Sequence, residues 1–122
     1  MSRASDELRQ RTKKYASAVV RLYVLLPKRQ EEAQVIGRQM LRSGTSAAAN
    51  FREASRARTT SEFISKLEVR IQEADETDLW LGLLRDDCGI EDEKLTKLLA
   101  ETNELISIFV TIVKRSKDQR EE

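Results

Sequence analysis

The chain has 122 residues, of which 35% are charged and 5% aromatic, with one proline and four glycines. This length predicts a single domain over residues 1–122, and the composition favours long helices over sheets, which use more β-branched and aromatic residues and more turns. The sequence lacks histidine and has one cysteine, which removes the commonest general base and excludes an internal disulfide and a thiolate zinc site. We therefore predict no enzymatic activity, no metal and no cofactor.

The first predicted helix covers residues 6–26. Ser5 is its predicted N-cap, and Pro27 ends it because proline disfavours a helical residue before it. Its apolar stripe recurs at steps of three and four residues and contains Leu8, Thr12, Tyr15, Val19, Leu22 and Leu26.

The second predicted helix covers residues 30–56. Gly44 in its middle costs up to ~1 kcal/mol relative to alanine, a cost that a closely approaching neighbour offsets. We therefore predict close helix packing at Gly44, Ala47 and Ala48.

The third and fourth predicted helices cover residues 61–85 and 91–117. Thr59, Thr60 and Ser61 offer N-caps for the third helix, and Gly89 is a predicted stop. Apolar residues of the third helix extend beyond one stripe, which indicates more than one packing neighbour. Four helices with short loops predict an all-α, antiparallel up-down-up-down four-helix bundle. The extra apolar residues of the third helix and the run of small residues at 44–49 predict that it assembles into an oligomer.

The net charge of +1 hides an asymmetry. Residues 1–60 carry 13 Lys/Arg and 5 Asp/Glu, whereas residues 61–122 carry 9 and 16. A basic surface that binds RNA or DNA is one interpretation, with Arg9, Lys13, Arg38 and Arg42 as candidates. Mutual neutralisation of the two halves, across a bundle or between subunits, is the other.

Glu73 and Glu76 form a Glu-x-x-Glu pair on the third predicted helix. A magnesium-type carboxylate pair is one interpretation. Pairing with arginines is simpler, because a buried carboxylate needs a hydrogen-bonding partner. We expect polar pairing between helices or subunits at Arg52, Glu53, Arg56, Glu73 and Glu76.

No stretch approaches the roughly 20 uncharged apolar residues that span a bilayer, and the N-terminus has no apolar signal-peptide core. We therefore expect a cytoplasmic protein without a membrane partner.

More than a third of the chain, between Met40 and Leu84, resembles the family called four helix bundle proteins. Its members are also described as proteins encoded by intervening sequences within bacterial 23S rRNA genes. The resemblance is carried by Arg42-Ser43-Gly44-Thr45-Ser46, Ala49-Asn50, Arg52-Glu53-Ala54, Arg56-Ala57-Arg58, Glu62-Phe63-Ile64-Ser65-Lys66, Glu73-Ala74-Asp75-Glu76-Thr77, Trp80-Leu81 and Leu83-Leu84.

The resemblance implies an antiparallel four-helix bundle and a ring of subunits, a homopentamer. It also implies a protein partner such as a reverse transcriptase, because a related bundle is an accessory protein of that enzyme and is thought to bind nucleic acid. Two hypotheses follow: a non-enzymatic oligomer that binds RNA or DNA by phosphate contacts, and a protein-interaction scaffold with no nucleic-acid role, such as an accessory subunit of a larger complex.

Overall fold

The computed structural model describes residues 3–49, 53–54 and 56–121. Over these residues the chain forms four long α-helices and no strand. They are α1 (Arg3–Leu25), α2 (Glu31–Ala49), α3 (Thr60–Asp86) and α4 (Glu93–Glu121). The prediction of an all-α bundle is therefore confirmed.

Several helix ends differ from the predicted ones, and α4 continues to Glu121 rather than ending at residue 117. Ser5 lies inside α1 and is not its N-cap, because the preceding Arg3 and Ala4 are good helix formers that continue the helix. Arg56 is in a turn rather than in the second helix. Its N–H donates to the carbonyl of Glu53 at 3.2 Å, three residues back, which is the tighter bonding that closes a helical turn. Residues 50–52, the predicted continuation of that helix, lie outside the described residues.

Capping side chains begin α3 and α4, and a glycine follows the end of α3. The Thr59 hydroxyl accepts the N–H of Glu62 at 3.0 Å and caps α3, as one of the predicted caps. Gly89 adopts a φ of 70°, which suits glycine, and the chain leaves α3 there. The fourth helix begins at Glu93 rather than residue 91, because the carboxylate of Asp92 accepts the N–H of Lys94 at 2.8 Å and acts as a cap.

Each helix contributes a buried hydroxyl to a group that we call the hydroxyl layer: Tyr15, Ser43, Thr77 and Thr102. A fifth buried hydroxyl, that of Thr12 in α1, donates to the carbonyl of Arg9 instead. The Tyr15 and Thr102 hydroxyls are 2.6 Å apart, and those of Ser43 and Thr77 are 2.7 Å apart. Thr102 also donates to the carbonyl of Leu98, and Thr77 to that of Glu73. Each buried hydroxyl thus has a partner, which avoids the cost of an unsatisfied polar group.

The helices contact one another around the bundle. The pairs α1 with α2, α2 with α3 and α3 with α4 pack closely, and α1 packs less closely against α4. Across the α3/α4 pair, Asn103 donates to Asp78 at 2.8 Å, and Lys117 lies 3.4 Å from Glu68. Within the described residues α1 and α3 do not pack against each other, so they lie diagonally opposite in the bundle.

Gly44 lets α2 approach α1 closely. A Cβ atom at Gly44 would lie 2.8 Å from Cγ2 and 3.0 Å from Cγ1 of Val19. Val19 is fully buried and β-branched, so its side chain has little freedom to move away. Gly82 of α3 differs, because a Cβ atom there would meet nothing within 4 Å.

Gly44 and Gly82 predict opposite effects of substitution by alanine. Gly44→Ala gains helix propensity but overpacks against Val19, and we expect a net loss of about 1–2 kcal/mol in the free energy of unfolding. Gly82→Ala gains helix propensity without a clash, and we expect a gain of up to ~1 kcal/mol. Denaturant unfolding of both variants measures the effects. A Gly44→Ala variant as stable as Gly82→Ala would contradict the close approach.

The buried Tyr15 predicts a loss of stability at high pH. Burial raises the pKa of Tyr15 to about 12, although hydrogen bonds with Thr102 and Thr77 oppose the shift. The unfolded chain, with a tyrosine pKa of 10.0, therefore loses this proton first. The contribution of Tyr15 is fully present below pH 10 and is lost between pH 10 and pH 12, by roughly 2 to 3 kcal/mol in all.

Denaturant unfolding as a function of pH measures this contribution, with Tyr15→Phe as the control. Lysines titrate in both proteins, so the difference between the two curves isolates Tyr15. Parallel curves between pH 10 and pH 12 would show that the phenol is not held neutral by burial.

Candidate nucleic-acid interface

The basic character of the first half of the chain is concentrated in α1 and the loop that follows it. Residues 8–30 contain seven Lys/Arg and no Asp or Glu. By contrast, α3 carries seven Asp/Glu and three Lys/Arg. Because α1 and α3 are diagonal in the bundle, the most basic and the most acidic helices lie at opposite corners.

Arg9 and Lys13, two predicted nucleic-acid-binding residues, line a groove of about 850 Å³ between α1 and α2. Its α2 side is formed by Thr45, Ala48 and Ala49, part of the run of small residues. Arg9 pairs with Asp6 of the same helix. Lys13 is exposed and has no side-chain partner among the described residues.

Arg38 and Arg42, the other two, lie one turn apart on α2 but differ in their contacts. Arg38 is exposed and has no side-chain partner within the described part of the chain. Arg42 contacts Glu76 at 2.9 Å and Glu73 at 3.5 Å, both on α3. One arginine therefore joins the two carboxylates that a magnesium site would need.

The remaining predicted polar residues do not come together as one cluster. Glu53 lies 3.5 Å from Lys66, and Arg56 is exposed and without a side-chain partner in the described residues. Arg52 lies outside the described residues.

The predicted close-packing residues Gly44, Ala47 and Ala48 are all buried. Across residues 3–49, 53–54 and 56–121, no three His, Cys, Asp or Glu side chains form a group that could hold a metal ion.

A second groove, of about 310 Å³, lies between α1 and α4, and we call it the α1/α4 groove. Its apolar lining comes from Tyr15, Ala18 and Leu98. Four cations border it, two from each helix: Lys14, Arg21, Lys94 and Lys97. Because α1 and α4 pack less closely than the other neighbouring helices and Ala18 contributes only a methyl group, the space between them stays open.

The groove has one carboxylate in its lining, and that group is already paired. Glu101 accepts two hydrogen bonds from the Arg11 guanidinium, at 2.8 and 2.7 Å. This bidentate contact raises the pKa of Arg11. Lys97 lies 3.0 Å from Glu93 in a largely exposed pair, which screening by water and salt weakens. Lys14, Arg21 and Lys94 have no side-chain partner among the described residues.

Lys94 and Lys97 are missed by reasoning from the sequence, because they belong to the acidic half of the chain. The net charge of residues 61–122 averages over all faces of two helices and so hides a local group of cations on one of them. A more local signal exists: Lys14 and Arg21 flank the apolar stripe of α1, and Lys94 and Lys97 flank that of α4. Which flanks face each other depends on the packing of α1 against α4, and that is known only from the structure.

The sequence profile of the family described as 23S rRNA-intervening sequence protein matches residues 5–111. The chain belongs to this family. The resemblance stated from the sequence is thereby confirmed, and the match extends it to most of the chain. No curated protein matches the sequence.

A solved structure supports the same relationship. The chain resembles a protein of unknown function from the S23 ribosomal protein family of Bacteroides thetaiotaomicron, with 36% sequence identity and a TM-score of 0.79. The similarity covers 88% of this chain and 98% of that one. No helix within the described residues is both long and apolar enough to cross a membrane.

Proposed function

We propose that this member of the 23S rRNA-intervening sequence protein family is a non-enzymatic, cytoplasmic oligomer that binds RNA or DNA by phosphate contacts. The observation that carries the proposal is the basic face of α1, by which we mean its exposed cations Lys13, Lys14 and Arg21. They have no carboxylate partner in the described residues, and the acidic α3 is diagonally opposite. A cation already paired with a carboxylate must break that contact to bind phosphate, whereas these three are available.

The family description supports RNA as the first ligand to test, because it names an intervening sequence of 23S rRNA. Arg38 extends the set of available cations from α1 to α2. Arg9 and Arg42, which the sequence ranks equally with Lys13 and Arg38, are weaker candidates for phosphate binding in the structure, because both pair with carboxylates.

We infer an antiparallel, up-down-up-down arrangement for the four helices. Its support is the order of contacts between α3 and α4: Ser61 meets Arg120, Glu68 meets Lys117 and Asp78 meets Asn103. As the α3 position advances, the α4 position retreats, as it does in an antiparallel pair. The short loops between the helices agree with this arrangement.

We further propose that the bundles assemble into a ring, a homopentamer. Exposed apolar side chains on α1, α2 and α3 support assembly, since large side chains of this kind gain by leaving water: Val20, Val24, Val35, Val69 and Leu79.

A protein-interaction scaffold without a nucleic-acid role is the alternative. The specific observation in its favour is that Arg42 pairs with Glu73 and Glu76 and is therefore not free to bind phosphate. In that case the partner is a protein such as a reverse transcriptase, and the cations of α1 serve only solubility or protein contacts.

Removal of charge separates the two functions. We expect Lys13→Gln with Arg38→Gln to weaken binding to single-stranded RNA roughly tenfold, and to reduce the slope of log affinity against log salt by about 1.4, or about 0.7 for each lost phosphate contact. Fluorescence anisotropy over a salt series measures both quantities.

The matched control is Lys114→Gln with Arg115→Gln, which removes two exposed cations of α4 that also lack side-chain partners in the described residues. We expect it to leave the slope unchanged. If the wild-type protein binds RNA no better than an unrelated protein of equal charge, the nucleic-acid function is wrong and the scaffold remains.

Light scattering tests the assembly. We expect a species several times the 14.0 kDa mass of one chain at micromolar concentration, and five times that mass for the proposed ring. Val24→Asp, a charge placed on an exposed apolar position, should shift the protein towards smaller species, whereas Ser17→Asp, a charge at an exposed polar position of the same helix, should not. A wild-type monomer would contradict the ring.

A further inference from the structure

We propose that the α1/α4 groove receives an unstacked base of single-stranded nucleic acid while the bordering cations bind the flanking phosphates. This inference rests on the proposed function and makes it specific to one class of nucleic acid and one site. It concerns the space between two helices, which the basic face of α1 alone does not require.

The first argument is the combination of an apolar lining with a cationic border. Phosphate contacts alone need only exposed cations, and exposed cations occur elsewhere on α1 and α2. The α1/α4 groove also presents the exposed methyl group of Ala18. Tyr15 and Leu98 line the groove beside it but are almost fully buried, so the apolar surface that a base meets is mainly that of Ala18. A small apolar surface beside a basic track suits a base of a single strand, because the base leaves water there while its flanking phosphates meet cations.

The second argument is the placement of the cations. Lys14 and Arg21 are seven residues apart on α1, or about 10 Å at 1.5 Å per residue, and Ala18 lies between them. On α4, Lys94 and Lys97 border the other side. A base against Ala18 would therefore have cations on both helices and towards both ends of the groove.

The third argument is continuity with the proposed binding face. Lys14 and Arg21 belong both to the basic face of α1 and to the border of the groove. An acidic peptide could also pair with these cations, but the groove is an extension of a face already proposed to bind phosphate. A duplex could use the border only, because its bases are stacked and paired and cannot enter a space between helices.

The experiment compares a short single-stranded uridine oligonucleotide with a duplex RNA of the same length, at one salt concentration. We expect the wild-type protein to bind the single strand more tightly. Ala18→Leu, at an exposed position, fills the groove without removing a cation, and we expect it to weaken single-strand binding roughly tenfold while duplex binding stays constant. Ala100→Leu makes the same change at an exposed position of α4 outside the groove and should change neither.

Arg21→Gln with Lys94→Gln tests the border. We expect it to weaken single-strand binding further than Ala18→Leu does, because phosphate contacts supply most of the affinity. Circular dichroism and light scattering of each variant establish that the fold and the assembly are retained. If Ala18→Leu loses either, Ala18→Met, a more flexible filling of the same space, replaces it.

Failure of this inference is distinguishable from failure of the proposed function. If the wild-type protein binds neither ligand, the proposed function is wrong. If it binds both equally and Ala18→Leu has no effect, nucleic-acid binding stands and the groove is excluded as a base site. Free uridine monophosphate binding as tightly as the oligonucleotide, or polyglutamate displacing the oligonucleotide at equal concentration, would overturn the assignment to a single strand.

Discussion

The hydroxyl layer constrains how all four helices sit in the bundle. A buried hydroxyl that loses its partner costs about 1–3 kcal/mol, so any rotation or slip that separates Tyr15 from Thr102, or Ser43 from Thr77, is penalised. Leucine and isoleucine contacts stabilise the core but tolerate small slips, because the hydrophobic effect has no direction. The polar layer therefore adds the specificity that the apolar stripes lack.

The hydroxyl layer also bears on which charged side chains meet at the surface, because a charged residue directly precedes each of its four members in the sequence. Three of its residues directly follow a charged residue that contacts a neighbouring helix: Arg42 precedes Ser43, Glu76 precedes Thr77 and Glu101 precedes Thr102. The Arg42–Glu76 pair thus lies beside the Ser43–Thr77 bond, and the Arg11–Glu101 pair beside the Tyr15–Thr102 bond. Lys14 directly precedes Tyr15, the fourth residue of the layer, but unlike the other three it has no side-chain partner on a neighbouring helix in the described residues.

Much of the fold follows from the sequence, because helix formation and its apolar stripe depend on residues three and four apart. The spacing predicts Thr12, Tyr15 and Val19 on the stripe of α1, and all three are buried. The errors lie where local signals compete. Ser5 is a good cap, but nothing before it stops a helix, and Arg56 follows a helical pattern that two short-range bonds close early. The α1/α4 groove depends on how two distant helices pack, and no local pattern contains that information.

A net charge near zero is compatible with a nucleic-acid surface when the charges are segregated. Helices that pack side by side lie about 8–10 Å apart, so the diagonal from α1 to α3 is longer than the ~8 Å Debye length at physiological salt. A phosphate at the outer side of α1 is therefore screened from most of the carboxylates of α3, whereas Lys14 and Arg21 are within reach. On α4, Glu101 pairs with Arg11 and Glu93 pairs with Lys97, and Glu104 lies near enough to act on Arg11 as well. Lys14, Arg21 and Lys94 are then the cations of the groove that have no carboxylate partner in the described residues, although the whole chain carries only +1.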